Sequence, residues 1–235
     1  MLAQTRKDEQ EREQARIQTA RFFEIWKGEL EAGASRSTGT TRTSGIYASA
    51  KLSREGIKWR QKFSGRLDFQ QTDNVTTTQR LIAAWQPNYK LDDKLYAYGL
   101  VQYEHDRSLG YDHRFTLGTG VGYIPVSNSR VKIELEGGPA LRETAFTELP
   151  SRTTLAARGS VSARFALSPT LALSQDASIF IESRDTTATS TTSLDTKLIG
   201  ALRGKISYAI QYEQDAPEGS HPLDTVTRAT LVYAF

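Results

Sequence analysis

From Trp26 to Phe235 the chain repeats on a period of two, and few folds accept that period over such a length. Trp59, Gln61, Phe63, Gly65, Leu67 and Phe69 fall on one side of an extended segment, and Lys58, Arg60, Lys62, Ser64, Arg66 and Asp68 on the other. Side chains at i and i+2 of a strand point the same way, so one face is apolar and the other charged. The alternation returns at 131–137, where Lys132, Glu134 and Glu136 form the polar side, and at 155–165, where Arg158 and Arg164 do. It returns again at 206–213.

Turn signals divide the region into about twelve strands: 26–37, 41–54, 57–71, 75–89, 94–107, 110–124, 129–143, 151–166, 170–184, 190–203, 205–215 and 223–235. The breakers are Gly39, Glu55-Gly56, Asp92-Asp93, Gly110, 125–128, Pro150, Ser168-Pro169, Gly204 and 217–222. Most segments exceed the ~5–6 residues of a globular strand and suit the ~9–11 tilted residues that cross a bilayer, with some overhang. The expected fold is all-β: an antiparallel, up-and-down transmembrane β-barrel of about twelve strands, occupying 26–235, with a short N-terminal helical segment before it.

Composition agrees once the alternation is considered. Mean hydropathy is −0.49 and no run approaches the ~18 apolar residues of a spanning helix. Barrel strands keep the average low because every second residue faces the lumen. There is no cysteine, which excludes disulfides and thiolate metal sites. Thirty basic residues are dispersed among 27 acidic ones, with no Lys/Arg block of the kind that nucleic-acid binding requires.

Residues 1–25 carry intermixed charge with neither Gly nor Pro, and read as a short, exposed helix or a frayed leader. Met1-Leu2-Ala3-Gln4 lacks the apolar core of a secretory signal, so an exported chain would have lost its signal already.

With an even strand count, the starts of odd strands and the ends of even strands share the periplasmic rim. Trp26, Trp59, Trp85, Tyr89, Tyr123, Phe165, Tyr233 and Phe235 then gather there as a membrane-interface girdle, with Phe69, Tyr103, Phe115 and Tyr212 toward the other rim. The ending Leu231-Val232-Tyr233-Ala234-Phe235 has the terminal aromatic and alternating apolar positions of an outer-membrane assembly signal, although Thr230 stands where glycine is frequent.

The chain resembles the salt-induced outer-membrane proteins, a family without an assigned activity. The matching blocks are Trp26-Lys27-Gly28-Glu29 with Ala32-Gly33, Tyr98-Gly99, Tyr103-Glu104-His105-Asp106-Arg107 and Gly110-Tyr111-Asp112-His113-Arg114. Gly118-Thr119-Gly120-Val121-Gly122-Tyr123, Glu136-Gly137-Gly138-Pro139 with Arg142, and 224–235 continue them in order. The resemblance implies an outer-membrane barrel and brings no chemistry.

The candidate lumen-lining charges are Lys51, Lys58, Arg60, Lys62, Arg66, Arg80, Glu104, Arg114, Glu134, Glu136, Arg158 and Arg164. Charges inside a barrel either line water or neutralise one another in a ladder. The basic residues of the second to fourth strands form a strip that would favour anions in an open pore. His105, Ser108 and Asp112 lie near one another in sequence, which is weak support for a nucleophilic site. The three histidines lack metal-site spacing. Gly118, Gly120 and Gly122 lie inside a strand with no helix after them, so they read as room for Tyr96 and Tyr98 or as backbone curvature rather than a phosphate loop.

The sequence therefore points to an outer-membrane channel for ions or small solutes with a mild anion bias. A closed-lumen structural or envelope-stress barrel is the alternative, and a lipid-modifying enzyme the third reading. No cofactor, metal or catalytic residue is expected. The expected partners are outer-membrane lipid and, through the last strand, the barrel-assembly machinery of a Gram-negative bacterium.

Overall fold

A computed structural model describes residues 25–37, 43–73, 75–106, 111–147, 150–183, 185–214 and 222–235. The helical reading of the N-terminal segment falls on residues outside this set. Twelve strands run in chain order: β1 (Trp26–Ser37), β2 (Thr43–Glu55), β3 (Trp59–Thr72), β4 (Val75–Lys90), β5 (Leu95–Asp106), β6 (Tyr111–Ser127), β7 (Val131–Phe146), β8 (Arg152–Ala166), β9 (Leu171–Glu182), β10 (Thr186–Ile199), β11 (Leu202–Glu213) and β12 (Leu223–Ala234). Each pairs antiparallel with its sequence neighbours, and β1 pairs with β12 to close the barrel. Closure removes the free sheet edges that hydrocarbon does not tolerate.

The alternation decides what faces lipid. Phe63, Trp85, Val101, Leu117, Leu141 and Leu155 stand opposite one another in unbroken register across β3 to β8. They are 39–71% exposed, whereas the intervening Arg114, Thr116 and Arg142 are buried on the inner side. A continuous outward apolar band around a polar interior is the arrangement of a transmembrane barrel, and in water it would be an aggregation surface.

Aromatic contacts mark both edges of the band. At the rim that carries the C-terminus, the Trp59 and Tyr89 rings lie 5.2 Å apart, and those of Tyr233 and Phe235 6.2 Å. Tyr123 and Phe165 stand at the same rim, opposite Leu95 and Val131. Trp85 stands deeper in the wall, stacked on Phe63 at 6.3 Å, and Phe63 also meets Trp26 at 5.9 Å. Toward the far rim Tyr103 packs on Phe115 at 5.0 Å.

Three local expectations are corrected. The turn between β10 and β11 forms at Gly200, whose φ of 58° suits glycine, and Gly204 lies inside β11. The tenth strand starts at Thr186 rather than 190, because hydroxyl pairs such as Ser178 with Thr189, 2.9 Å apart, replace the missing apolar alternation. Pro125 lies within β6, where the pairing with β7 shifts register between Tyr123 and Val126 and so accommodates a residue without an N–H.

The glycine run in β6 has two separate roles. A Cβ on Gly122 would fall 2.1 Å from Cζ of Tyr96, so this position is room for that ring. A Cβ on Gly120 would fall 2.2 Å from the carbonyl oxygen of Gly137, and one on Gly138 2.0 Å from that of Thr119. Here the β6 and β7 backbones approach each other directly, as at a tight bend in a barrel wall.

Candidate functional site: an ion-paired lumen

Every second residue of each strand points inward, so acids and bases from distant strands meet across the interior. Near the C-terminal rim, Glu134 on β7 accepts from Arg60 Nη1 at 2.9 Å and Lys62 Nζ at 2.7 Å, both on β3. Lys132 Nζ adds a third contact at 2.7 Å. Glu136 accepts from Arg158 at 3.0 Å, Gln86 at 2.7 Å, the Tyr96 hydroxyl at 2.8 Å and Ser160 at 3.1 Å. Four cations thus share two carboxylates. Lys51 on β2 reaches Asp176 on β9 at 3.4 Å, and Ser162 donates to Asp176 at 2.7 Å.

Toward the far rim a second tier crosses the barrel. Arg114 on β6 donates to Glu213 on β11 at 2.7 Å. Arg80 on β4 lies 3.3 Å from Asp106 and also donates to Gln211 on β11. Arg142 donates to Glu182 at 2.6 Å and to Thr187 at 3.1 Å. Glu104 accepts from Gln102 and from the Tyr111 hydroxyl, the latter at 3.2 Å. Arg66 and Arg228 both hold Asp68, at 2.7 and 2.5 Å, with Tyr47 facing both guanidinium groups.

These contacts imply an oval cross-section. Twelve strands ~4.8 Å apart and tilted ~40° make a circular ring about 24 Å across. Lys51 and Asp176 stand on strands separated by four others on the shorter arc, yet a lysine facing an aspartate spans only about half that width.

One side of the oval is packed. Tyr96, Tyr98, Leu100, Ile124, Ala140, Ala156 and Phe180 form an inward cluster on β5 to β9. Arg60, Arg158 and Arg142 lie over Tyr96, Tyr98 and Phe180, at 5.2, 5.2 and 4.6 Å from the ring centres. Among the described residues, the remaining space includes a cavity of about 900 Å³ toward the far rim and one of about 570 Å³ toward the C-terminal rim, and Gln102 lines both.

Of the candidate lumenal charges, Lys51, Arg60, Lys62, Arg66, Arg80, Glu104, Arg114, Glu134, Glu136 and Arg158 enter these networks. Arg164 is exposed inside the C-terminal mouth, where it donates to Ser174 at 3.3 Å. Lys58 is a correction: it lies exposed in the turn between β2 and β3, where Gly56 N–H bonds to the Trp59 carbonyl at 2.7 Å, and it leaves the lumenal set. The basic strip is also less bare than its sequence implies, because each cation has an acid facing it. Asp68, Asp176, Glu182 and Glu213 were not singled out as lumenal from sequence. Only their inward parity marks them, since their partners lie on other strands.

His105 and His113 are on the outward face of β5 and β6; a His105 ring nitrogen meets the Asp112 carbonyl, and the His113 ring meets Phe115 at 5.9 Å. Ser108 lies outside the described residues. Among the described residues, no group of three or more His, Asp or Glu side chains is placed to hold a metal ion.

Fold and interior together define a twelve-stranded transmembrane β-barrel with an ion-paired lumen. The chain belongs to the family described as "Protein of unknown function, DUF481", whose model matches residues 30–235. No curated protein sequence matches significantly. Among solved structures, the barrel resembles the NanC porin, with a TM-score of 0.54 at 9% identity, covering 88% of this chain and 98% of that one. It also resembles the COG4313 outer-membrane channel from Pseudomonas putida F1, with a TM-score of 0.54 at 10% identity, over 89% and 95% of the two chains. The translocator domain of the autotransporter NalP from Neisseria meningitidis matches with a TM-score of 0.51 at 14% identity, over 99% and 97%. At these identities the likeness is one of fold.

Proposed function

We propose that the protein is a narrow outer-membrane channel that passes small ions, with a preference for anions, and is not an enzyme. The observation that carries this reading is the pair of interior cavities, one toward each rim, that share Gln102 as a lining residue. The turns at the C-terminal rim are short, such as 200–201, and the longest connection, 214–222, is at the far rim. By the usual asymmetry of such barrels the C-terminal rim faces the periplasm. Lipid of the outer membrane surrounds the aromatic belts, and the last strand is the element the assembly machinery engages. The salt-induced character implied by the sequence resemblance belongs to the same proposal.

The anion preference rests on accessibility. In the periplasmic half, Lys27, Lys51, Lys62, Lys132, Arg164, Lys197 and Arg203 face inward and reach solvent, against Glu29, Glu55 and Asp176. Excess positive charge in a confined aqueous space concentrates anions. Replacing Lys51, Lys62 and Arg203 together by glutamate removes three positive charges and adds three negative ones. The reversal potential in a potassium chloride gradient is expected to change sign; an unchanged reversal potential in a folded variant would contradict the assignment.

The cross-lumen pairs support a second reading, a lumen closed by its own ladder. The two readings separate at Glu134, which holds Arg60, Lys62 and Lys132. If these pairs constrict a conducting path, Glu134→Gln loosens them and raises conductance and anion selectivity together. If they are only scaffolding, the variant loses stability and remains non-conducting.

A further inference from the structure

The two interior chambers differ in the sign of the charge that lines them. The larger one carries Arg66, Arg80 and Arg228 against Asp68, Glu104, Asp106 and Asp224, a slight acidic excess. The smaller one, toward the C-terminal rim, carries Lys27, Lys51, Lys62, Arg158 and Arg203 against Glu29 alone. Several of these cations also meet acids of the wall behind the lining: Lys51 meets Asp176, Lys62 meets Glu134, and Arg158 meets Glu136. Glu134 is shared in turn with Arg60 and Lys132, and Arg60 also approaches Glu55. With those included, seven cations face five carboxylates, so the surplus stays positive.

The strand register gathers this surplus around a hydroxyl. On the inward face Lys27 stands opposite Ser53 on β2, and Ser53 opposite Lys62 on β3; in the next row Glu29, Lys51 and Ser64 are opposed in the same way. Lys27 and Lys62 therefore flank Ser53 from strands about 10 Å apart. Lys27 is exposed and pairs with no acid among the described residues. Arg203 adjoins from β11, 3.1 Å from Glu29. Arg158 closes the opposite side of the oval, 3.0 Å from Glu136, which Lys62 also approaches at 3.9 Å. Gln86 and Gln102 add amides, so ammonium, guanidinium, hydroxyl and amide donors converge on a space of about 570 Å³.

We infer that the smaller chamber is a binding site for a small multivalent oxyanion, a solute with two or more phosphate or carboxylate charges. A monovalent anion satisfies one cation at a time. A multivalent one engages Lys27 and Lys62 together, and its oxygens accept from the Ser53 hydroxyl between them. The larger chamber has no such surplus, so the anion is held toward the C-terminal rim. The inference rests on the proposed channel for the anion's access and onward passage, whereas binding itself is read without any current.

The probe is inorganic pyrophosphate, titrated calorimetrically into the native barrel in dodecyl maltoside micelles at moderate ionic strength, with nitrate as the monovalent comparison. One pyrophosphate per barrel is expected, bound at least about tenfold more tightly than nitrate, as for one further charge-assisted contact. Lys27→Gln removes a cation that holds no acid, and Ser53→Asp places a carboxylate between Lys27 and Lys62. Each should weaken pyrophosphate binding about tenfold while the heat-resistant folded band is retained. Should Ser53→Asp fail to fold, Lys27→Gln decides alone, because it leaves every ion pair of the wall in place. Asp224→Asn, in the larger chamber, should leave the affinity unchanged. Equal affinity for pyrophosphate and nitrate in the native protein would overturn the site, and so would pyrophosphate binding that Lys27→Gln leaves intact. Tighter binding by Asp224→Asn would overturn it too, by placing the anion in the larger chamber. Protein that binds pyrophosphate but carries no current would count against the channel and leave the site standing; conducting protein that does not bind it would overturn the site alone.

Discussion

At the scale of single residues, each position in the barrel wall is governed by the room its neighbours leave, whether it faces inward, as Gly120 does, or outward, as Gly65 does. Gly120 and Gly65 make the contrast measurable. A side chain on Gly120 runs into the Gly137 carbonyl, which is backbone, whereas one on Gly65 meets nothing within 4 Å. Gly120→Val is therefore expected to destabilise the barrel by about 1–3 kcal/mol or more in urea unfolding from micelles, while Gly65→Ala stays within about 0.5 kcal/mol. A tolerated Gly120→Val would show that the two strands can separate there at no cost. The paired charges follow a different logic. Their inward direction was legible from parity alone, because Arg60, Lys62, Glu134 and Glu136 alternate with apolar neighbours. Which acid each base meets was not legible, because Arg114 and Glu213 are brought together only by closure of the ring.

At the scale of elements, the strand pattern was nearly all readable, and the exceptions have local causes. The start of β10 was hidden because a run of Thr and Ser offers no apolar alternation, and its turn was displaced because two glycines, Gly200 and Gly204, compete as breakers. The β4–β5 turn is held by Asp92, whose carboxylate accepts from the backbone N–H groups of Lys94 at 2.7 Å and Leu95 at 2.6 Å. The Lys94 bond, followed by that of Leu95, holds the Asp92 pKa below its ordinary value. A depressed carboxyl stabilises the turn at neutral pH and loses that contribution as pH falls through its folded value. Acidification should thus lower the protection of the Lys94 and Leu95 amides relative to their intrinsic exchange rates at the same pH, and Asp92→Ala should give low protection already at neutral pH. Protection factors that do not change with pH in the native protein would refute this role. At the seam, Phe235 supplies two backbone bonds to Gly28. Its deletion is expected to cost about 1–3 kcal/mol and to slow formation of the heat-resistant folded band on gels. Unchanged folding would mean that the four remaining register pairs suffice to close the ring.

At the scale of the whole molecule, two features lay beyond any local reading: the flattening of the barrel and the β1–β12 seam, whose register spans only four residue pairs. Both depend on how twelve strands close, and neither has a signature in any single strand. Flattening brings opposed charges within reach and divides the interior into a packed side and a wet side. The wet side is where the proposed conduction takes place. Single-channel recording in a planar bilayer tests that claim most directly. The account expects discrete, small conductance steps from folded protein, with a reversal potential favouring chloride over potassium in a salt gradient. Folded, inserted protein that gives no steps, or steps that favour potassium, would contradict it.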